Sequence, residues 1–345
     1  MHKHIPQLDL LRGIAVLAVM LCHYPCYKIF AIGSAGVDLF FVLSGFLISS
    51  LLFSEWKRTG KISLFRFYVR RGFKIYPSFY FLIATSLGLF WVVPEIQTHP
   101  FSRLGAELLF LQDYLPHIWG HTWSLGVEEQ FYLLLPLRLI LMTKLHNPAR
   151  PFSSIPLLSG LVGIGCLAFR VARHPINPLD VRFAFHFRAD ALFAGVALGY
   201  LFHFRHRVFR AVSGWWLLPL SIGALLPQCF YPETAAPAPY VLGCNTVAFT
   251  FLVWWAVSRS SLRAPVLERV GVYSYSIYLW HFPMAEMFQR TNPHLILLPF
   301  YVMASIWFGT YIGNIIELRA LAARDRMFPA TAVWPVSPDA IRHAQ

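Results

Sequence analysis

The stretch "LDLLRGIAVLAVMLCH", residues 8–23, reads as a helix built for lipid, yet it carries Asp9, Arg12 and His23. An ionisable group inside a bilayer costs on the order of 3 kcal/mol or more. A run that keeps three of them is expected to line a site rather than to face acyl chains. From Arg12 to His23 the helix advances by about 16 Å and returns to within about 20° of the same face. One face therefore carries a cation near one mouth and an imidazole well inside. Asp9, three residues before Arg12, is spaced to pair with its guanidinium.

Composition agrees with a membrane setting. Of the 345 residues 57% are hydrophobic and 17% aromatic, and only 13% are charged; the mean hydropathy is +0.54. These values exclude an ordinary soluble domain. Apolar windows recur at 9–28, 36–54, 75–93, 128–143, 155–170, 189–203, 215–231, 240–257, 271–289 and 295–314, so the expected fold is an all-α polytopic membrane protein of about ten transmembrane helices. The segment 104–115 is too short to cross and is expected to be re-entrant or interfacial. The first window bears charge at its mouth and lacks a small-residue cleavage pattern, so it is expected to remain as a span.

Charge sets the expected orientation. With both termini cytoplasmic, all but seven of the 29 Lys and Arg fall on the inner side, the seven being Lys28, Arg103, Arg170, Arg173, Arg182, Arg188 and Arg290. That is the positive-inside pattern, and it accounts for the net charge of +13 without nucleic acid. The five cysteines are scattered, and Cys22, His23 and Cys26 of "CHYPC" find no second ligand cluster, so no metal site is expected.

Three further places carry candidate chemistry. Asp38 opens the second span near the depth that His23 reaches, where a carboxylate would orient the imidazole as a general base. The loop "LFRFYVRRGFKIYP" gathers Arg70, Arg71 and Lys74 within about one helical turn, spaced to converge on a polyphosphate, although positive-inside topology also favours cations there. Trp123 and Glu128 either offer a sugar-stacking face and a hydroxyl acceptor or mark a helix start with Ser124 as its N-cap. Arg188 and Asp190 read as a buried pair, and His281 as a second acceptor-side residue. "GVALG" at 195–199 reads as a small-residue helix contact.

Taken in order, these blocks resemble the membrane-bound acyltransferase-3 family, which includes polysaccharide and lipopolysaccharide O-acetyltransferases. The carrying motifs are Leu-Asp-x-Leu-Arg-Gly with Arg-x10-His at Leu8–His23, "GVDLFFVLSGFLI" at 36–48, "RRGFKIYP" at 70–77, "TWSLGVEEQFYLLLP" at 122–136, "FRADALFAG" at 187–195 and "YSYSIYLWHFP" at 273–283. The resemblance covers roughly residues 7–315, within an acyltransferase-like membrane domain over 1–318 and a short cytoplasmic tail at 319–345. Lys74 departs from the family's usual arginine. An appended extracellular hydrolase-like domain of the kind some members carry is not expected here, so transfer is expected to finish within the membrane domain.

The resemblance implies an enzyme of the inner membrane that moves an acyl group, commonly acetyl, from cytoplasmic acetyl-CoA to a glycan hydroxyl at the outer side. It needs no permanently bound cofactor. Arg12, Arg70, Arg71 and Lys74 would hold the CoA phosphates, and His23 with Asp38 would act as base or accept the acyl group. The motifs are the same whether the acceptor is O-antigen, exopolysaccharide, peptidoglycan or a glycolipid. The rival class is a transporter or flippase of an envelope precursor in which His23, Asp38 and Asp190 relay protons.

Overall fold

The computed structural model of the chain describes residues 5–24, 33–92, 100–174, 183–230, 238–259, 261–290 and 294–328, except for the side chains of 90–92 and 100–102. Every regular element among them is helical. In order these are α1 Pro6–His23, α2 Gly36–Thr59, α3 Leu64–Val92, α4 Pro100–Leu108, α5 Trp123–Leu145, α6 Ile155–Arg173 and α7 Phe185–Phe204. They continue as α8 His206–Val212, α9 Leu217–Phe230, α10 Val241–Val257, α11 Pro265–Val272, α12 Ser274–Gln289, α13 Leu298–Ile312, a π-helical turn Gly313–Glu317 and α14 Leu318–Met327. Cys26, Lys28, Arg182 and the tail beyond Phe328 lie outside the described residues.

Local chemistry sets several of these boundaries. Pro6 occupies the first turn of α1 and Asp9 follows it, where a missing N–H is harmless and a carboxylate meets the positive end of the helix dipole. Gly60 ends α2 at φ 67, a left-handed position that a side chain would strain. Pro77, Pro136 and Pro283 sit inside helices, as membrane helices tolerate where neighbours satisfy the freed carbonyls.

The described part of each apolar window falls mainly on a helix, but the helices differ in how plainly they read as spans. Four stretches are long and apolar enough to cross a bilayer by length and composition, namely Pro6–His23, Gly33–Thr59, Ile155–Arg173 and Leu295–Met327; α8 and α9 together make a fifth, bent by 78°. Two local expectations change. Arg66, Arg70, Arg71 and Lys74 lie on α3 itself rather than in a loop before it, because the helix already starts at Leu64. The window 271–289 is broken at Tyr273, and α11 ahead of it is a separate helix. The 104–115 segment does not cross as a helix: α4 stops at Leu108 and the chain turns at Phe110, φ 54.

α2 is the central element. Its most apolar window is 72% buried inside the protein, against 17% for α6, whose outer face leaves Leu157, Leu161 and Ile164 exposed. The α2–α7 contact is made by glycine. A Cβ at Gly45 would lie 1.9 Å from the Leu192 carbonyl oxygen, and one at Gly195 2.2 Å from that of Val42. Small residues let backbones approach where lipid gives no hydrophobic drive for association. Gly45→Val is therefore expected to destabilise by about 1–3 kcal/mol or more, since the obstructing atoms are backbone. The gain in helix propensity, about 1 kcal/mol at most, does not offset this. The thermal midpoint of purified protein in detergent checks it.

Candidate functional site

A cavity of about 290 Å³ opens between α1, α2, α3, α5 and α12. Arg12 of α1 and Arg71 and Lys74 of α3 line it together with Glu128, Glu129 and Tyr132 of α5. The Arg71 guanidinium lies 4.3 Å from the Tyr132 ring centroid, and its Nε is buried without a hydrogen-bond partner. Ser44 donates to Glu128 Oε1 at 2.5 Å and lies 3.1 Å from the Tyr132 hydroxyl. Lys74 is paired with Glu317 in the π turn, and Glu317 also accepts from Ser276 at 2.7 Å. A mouth with three cations and an unspent guanidinium donor suits a phosphate-bearing ligand, because charge-assisted hydrogen bonds are strong where water is scarce.

Arg70 does not join them. It faces α14 and contacts Asp325 at 3.4 Å, because neighbouring positions on a helix point about 100° apart. Nor does Asp9 pair with Arg12 among the described ion pairs. Its backbone carbonyl is instead covered by Gly271 of α11 at close range.

Tyr278 lines the cavity, and its ring also meets a cluster of three histidines. The Tyr278 ring centroid is 5.4 Å from His121 and 5.3 Å from His281, while its hydroxyl donates to the His121 carbonyl at 2.9 Å and meets Ser124 at 2.7 Å. His281 Nδ1 donates to the Tyr278 carbonyl at 2.5 Å, which leaves Nε2 as an acceptor 3.1 Å from His23 Nδ1. His23 Nδ1 is also 3.0 Å from the Val19 carbonyl. Its proton is thus shared between Val19 and His281, and the lone pair of His23 sits on Nε2. His121 donates through Nε2 to Leu279 at 3.2 Å, and its Nδ1 is buried without a partner. Each imidazole spends one nitrogen on the backbone, and no grouping among the described residues has the geometry of a metal site.

Asp38 is elsewhere. It accepts from Arg188 at 2.5 Å and from Asn245 at 3.0 Å, and it does not contact His23. A fixed guanidinium outcompetes a neutral imidazole for a buried carboxylate. Asp190 likewise pairs with Arg170 at 2.7 Å and not with Arg188, since two positions two apart on one helix face nearly opposite ways. Gln228 meets Asn245 at 3.0 Å, so α2, α7, α9 and α10 are tied by one buried polar network, and the Arg170–Asp190 pair separately ties α6 to α7.

The block at 122–136 also divides. Trp123 is packed edge-on against Phe41 and Phe183, with the Arg188 guanidinium 5.4 Å from its ring. Its ring is half-buried among these groups. Ser124 makes no N-cap bond; α5 already begins at Trp123 and the Ser124 hydroxyl turns to Tyr278. Glu128 belongs to the basic cavity and is not grouped with Trp123.

The acyltransferase-domain family model matches residues 5–316, nearly the whole chain. The chain belongs to the acyltransferase-3 family. Among curated relatives of this acyltransferase-3 protein, O-acetyltransferase OatA of Staphylococcus aureus is 29% identical over 96% of this chain and 57% of its own length. Peptidoglycan O-acetyltransferase OatA of Listeria monocytogenes is 29% identical over 83% of this chain and 50% of its own. The chain thus spans about half the length of the curated relatives it matches. No solved structure matches.

Sequence reading of this acyltransferase-3 chain missed His121, Arg170, Asn245 and Glu107. Glu107 is fully buried and accepts from the Ile118 N–H at 2.9 Å and from Thr122 at 3.0 Å, so it shapes the segment that delivers His121. Asp113 in the same segment accepts from Gln130 at 2.7 Å and from the Phe185 N–H at 3.0 Å. Burial pushes its carboxyl up to about 6, against the downward pull of those two hydrogen bonds. The signal for His121 was its place directly before "TWSL"; a lone histidine in a loop carries no periodicity to mark it.

Proposed function

We propose that this chain is a membrane O-acyltransferase that takes an acetyl group from acetyl-CoA at the Arg12–Arg71–Lys74 mouth and delivers it to a glycan hydroxyl at the His23 end. The observation that carries the reading is that α1 and α12 each reach both places: Arg12 and Tyr278 line the basic cavity, and His23 and His281 meet in the histidine cluster. Family membership supplies the acyl chemistry, and the name of the Listeria relative supports peptidoglycan as the acceptor class. The basic mouth is cytoplasmic under the positive-inside rule, with the protein in the cell's inner membrane and about ten spans.

In this mechanism Arg71, Arg12 and Lys74 hold the phosphates of CoA, and the pantetheine arm extends about 16 Å along the α1 face toward His23. Both routes to product begin at the His23 Nε2 lone pair. In one, Nε2 takes the proton of the acceptor hydroxyl while its oxygen attacks the thioester carbonyl and the CoA thiolate leaves. In the other, Nε2 attacks the thioester carbonyl and the CoA thiolate leaves; the acceptor hydroxyl oxygen then takes the acyl group as the N–acyl bond breaks, and the hydroxyl proton ends on the freed Nε2. His281 Nε2 is a positioning acceptor that holds the Nδ1–H tautomer, the role that Asp38 was expected to fill.

The transporter reading draws no comparable support. Asp38 and Asp190 are each held by a guanidinium, and neither contacts a histidine. The test of the donor site is Arg71→Glu. Losing one charge-assisted bond costs about 1.5–3 kcal/mol, so acetyl-CoA should bind roughly 10- to 150-fold more weakly, with normal membrane insertion. Unchanged affinity in titrations of purified protein would remove Arg71 from the donor site.

A further inference from the structure

A second concavity, about 590 Å³, lies apart from the basic cavity. Its walls come from three places: Asp113 and Tyr114 of the 109–122 segment, the last turn of α6 at Phe169 and Arg173, and the entry to α7 at Phe183 and His186. The side chains are pre-arranged. The Tyr114 hydroxyl is 2.9 Å from His186 Nδ1, and the two rings stack at 5.7 Å and 18°. Phe169 meets His186 edge-on at 5.6 Å. Tyr114 and Phe169 remain 49% and 56% exposed, whereas Asp113 beside them is only 7% exposed and is fixed by Gln130 and by the Phe185 N–H.

We infer that this groove binds a sugar ring of the acceptor glycan, an inference that rests on the O-acyltransferase reading above. A pyranose has an apolar C–H face and a rim of hydroxyls. It needs a flat aromatic surface together with both acceptors and donors at fixed positions. Tyr114 and Phe169 supply the surface, Asp113 the acceptor, and Arg173 and His186 donors. An aromatic belt at the bilayer interface also exposes Tyr and Phe, but belt residues do not line a concavity around a buried carboxylate. A carboxylate and a guanidinium in one groove suit a neutral polyhydroxyl ligand better than an anionic headgroup. The segment that carries Asp113 and Tyr114 also carries His121, so a ring bound here is joined by a short, Glu107-braced connection to the histidine cluster.

The test uses the full chain in nanodiscs, with a soluble tetrasaccharide of β-1,4-linked N-acetylglucosamine as acceptor. Tyr114→Ala is expected to raise the acceptor KM about five- to tenfold, the loss of one aromatic stacking contact. The KM for acetyl-CoA should not change, and Tyr114→Trp should restore the acceptor KM. Arg173→Ala should act in the same direction as Tyr114→Ala. An acceptor KM unchanged by Tyr114→Ala, with transfer intact, overturns the groove and leaves the O-acyltransferase reading standing. Absence of any transfer by the wild-type chain overturns that reading instead. Saturation-transfer NMR with the same tetrasaccharide then judges the groove by itself: signals abolished by Tyr114→Ala support it, and signals that persist, or appear only for phospholipid, overturn it.

Discussion

His23→Ala is expected to lower acyl transfer by about 10²- to 10⁴-fold, the loss that follows removal of a positioned base. Folding and acetyl-CoA binding should stay near normal, because the basic cavity is lined by Arg12, Arg71 and Lys74 and not by His23. The geometry asks for more than a polar group at this depth. His23 Nδ1 must reach both Val19 and His281 while Nε2 stays open. Exchanging positions, with Cys22→His and His23→Leu in one chain, turns the imidazole by about 100° around α1 and should inactivate the enzyme at nearly constant composition. His281→Ala should reduce turnover less than His23→Ala, because it removes the orienting acceptor and leaves the base. Product formation by mass spectrometry, at matched protein level, checks all three. Full transfer by either His23 variant would reduce the cluster to packing.

The second large effect concerns stability. Asp38→Leu should cost about 3–5 kcal/mol, because it strands the Arg188 guanidinium in the interior without its carboxylate. Its symptom is loss of folded protein, with no separate loss of turnover in whatever folds. The informative variant is the double one, Asp38→Leu with Arg188→Met. Replacing both members of a buried ion pair by apolar side chains is commonly neutral or stabilising, so folding should return. If the double variant folds and transfers acyl groups, Asp38 is a structural partner of Arg188. If it folds but is inactive while the lone His23 geometry is intact, Asp38 has a chemical role that its contacts do not reveal. Yield by fluorescence-detected gel filtration and transfer activity separate these outcomes.

Much of this architecture is legible in the chain alone. Apolar windows give helices because a backbone in lipid must satisfy its own hydrogen bonds, and among the described residues the expected windows are mainly helical, with a break at Tyr273. The 11-residue spacing from Arg12 to His23 sends one to the basic cavity and the other to the histidine cluster, since helical periodicity is a local property. Gly195 and Gly199 read as a contact, and they meet Val42, Phe46 and Ser49 of α2.

Pairings across helices needed the tertiary structure. Asp38 was within reach of His23 by depth, but depth does not say which way α2 is turned, and Arg188 on α7 offered a full charge where the imidazole offered none. Arg70 and Arg71 are neighbours in sequence and part company on the helix, one to Asp325 and one to the cavity. His121 entered the cluster only because Glu107 folds a segment without periodicity back onto α12. Helix formation and facing are decided by near neighbours along the chain. The choice among buried charges and hydrogen bonds is a competition among groups far apart in sequence, and only packing settles which of them meet.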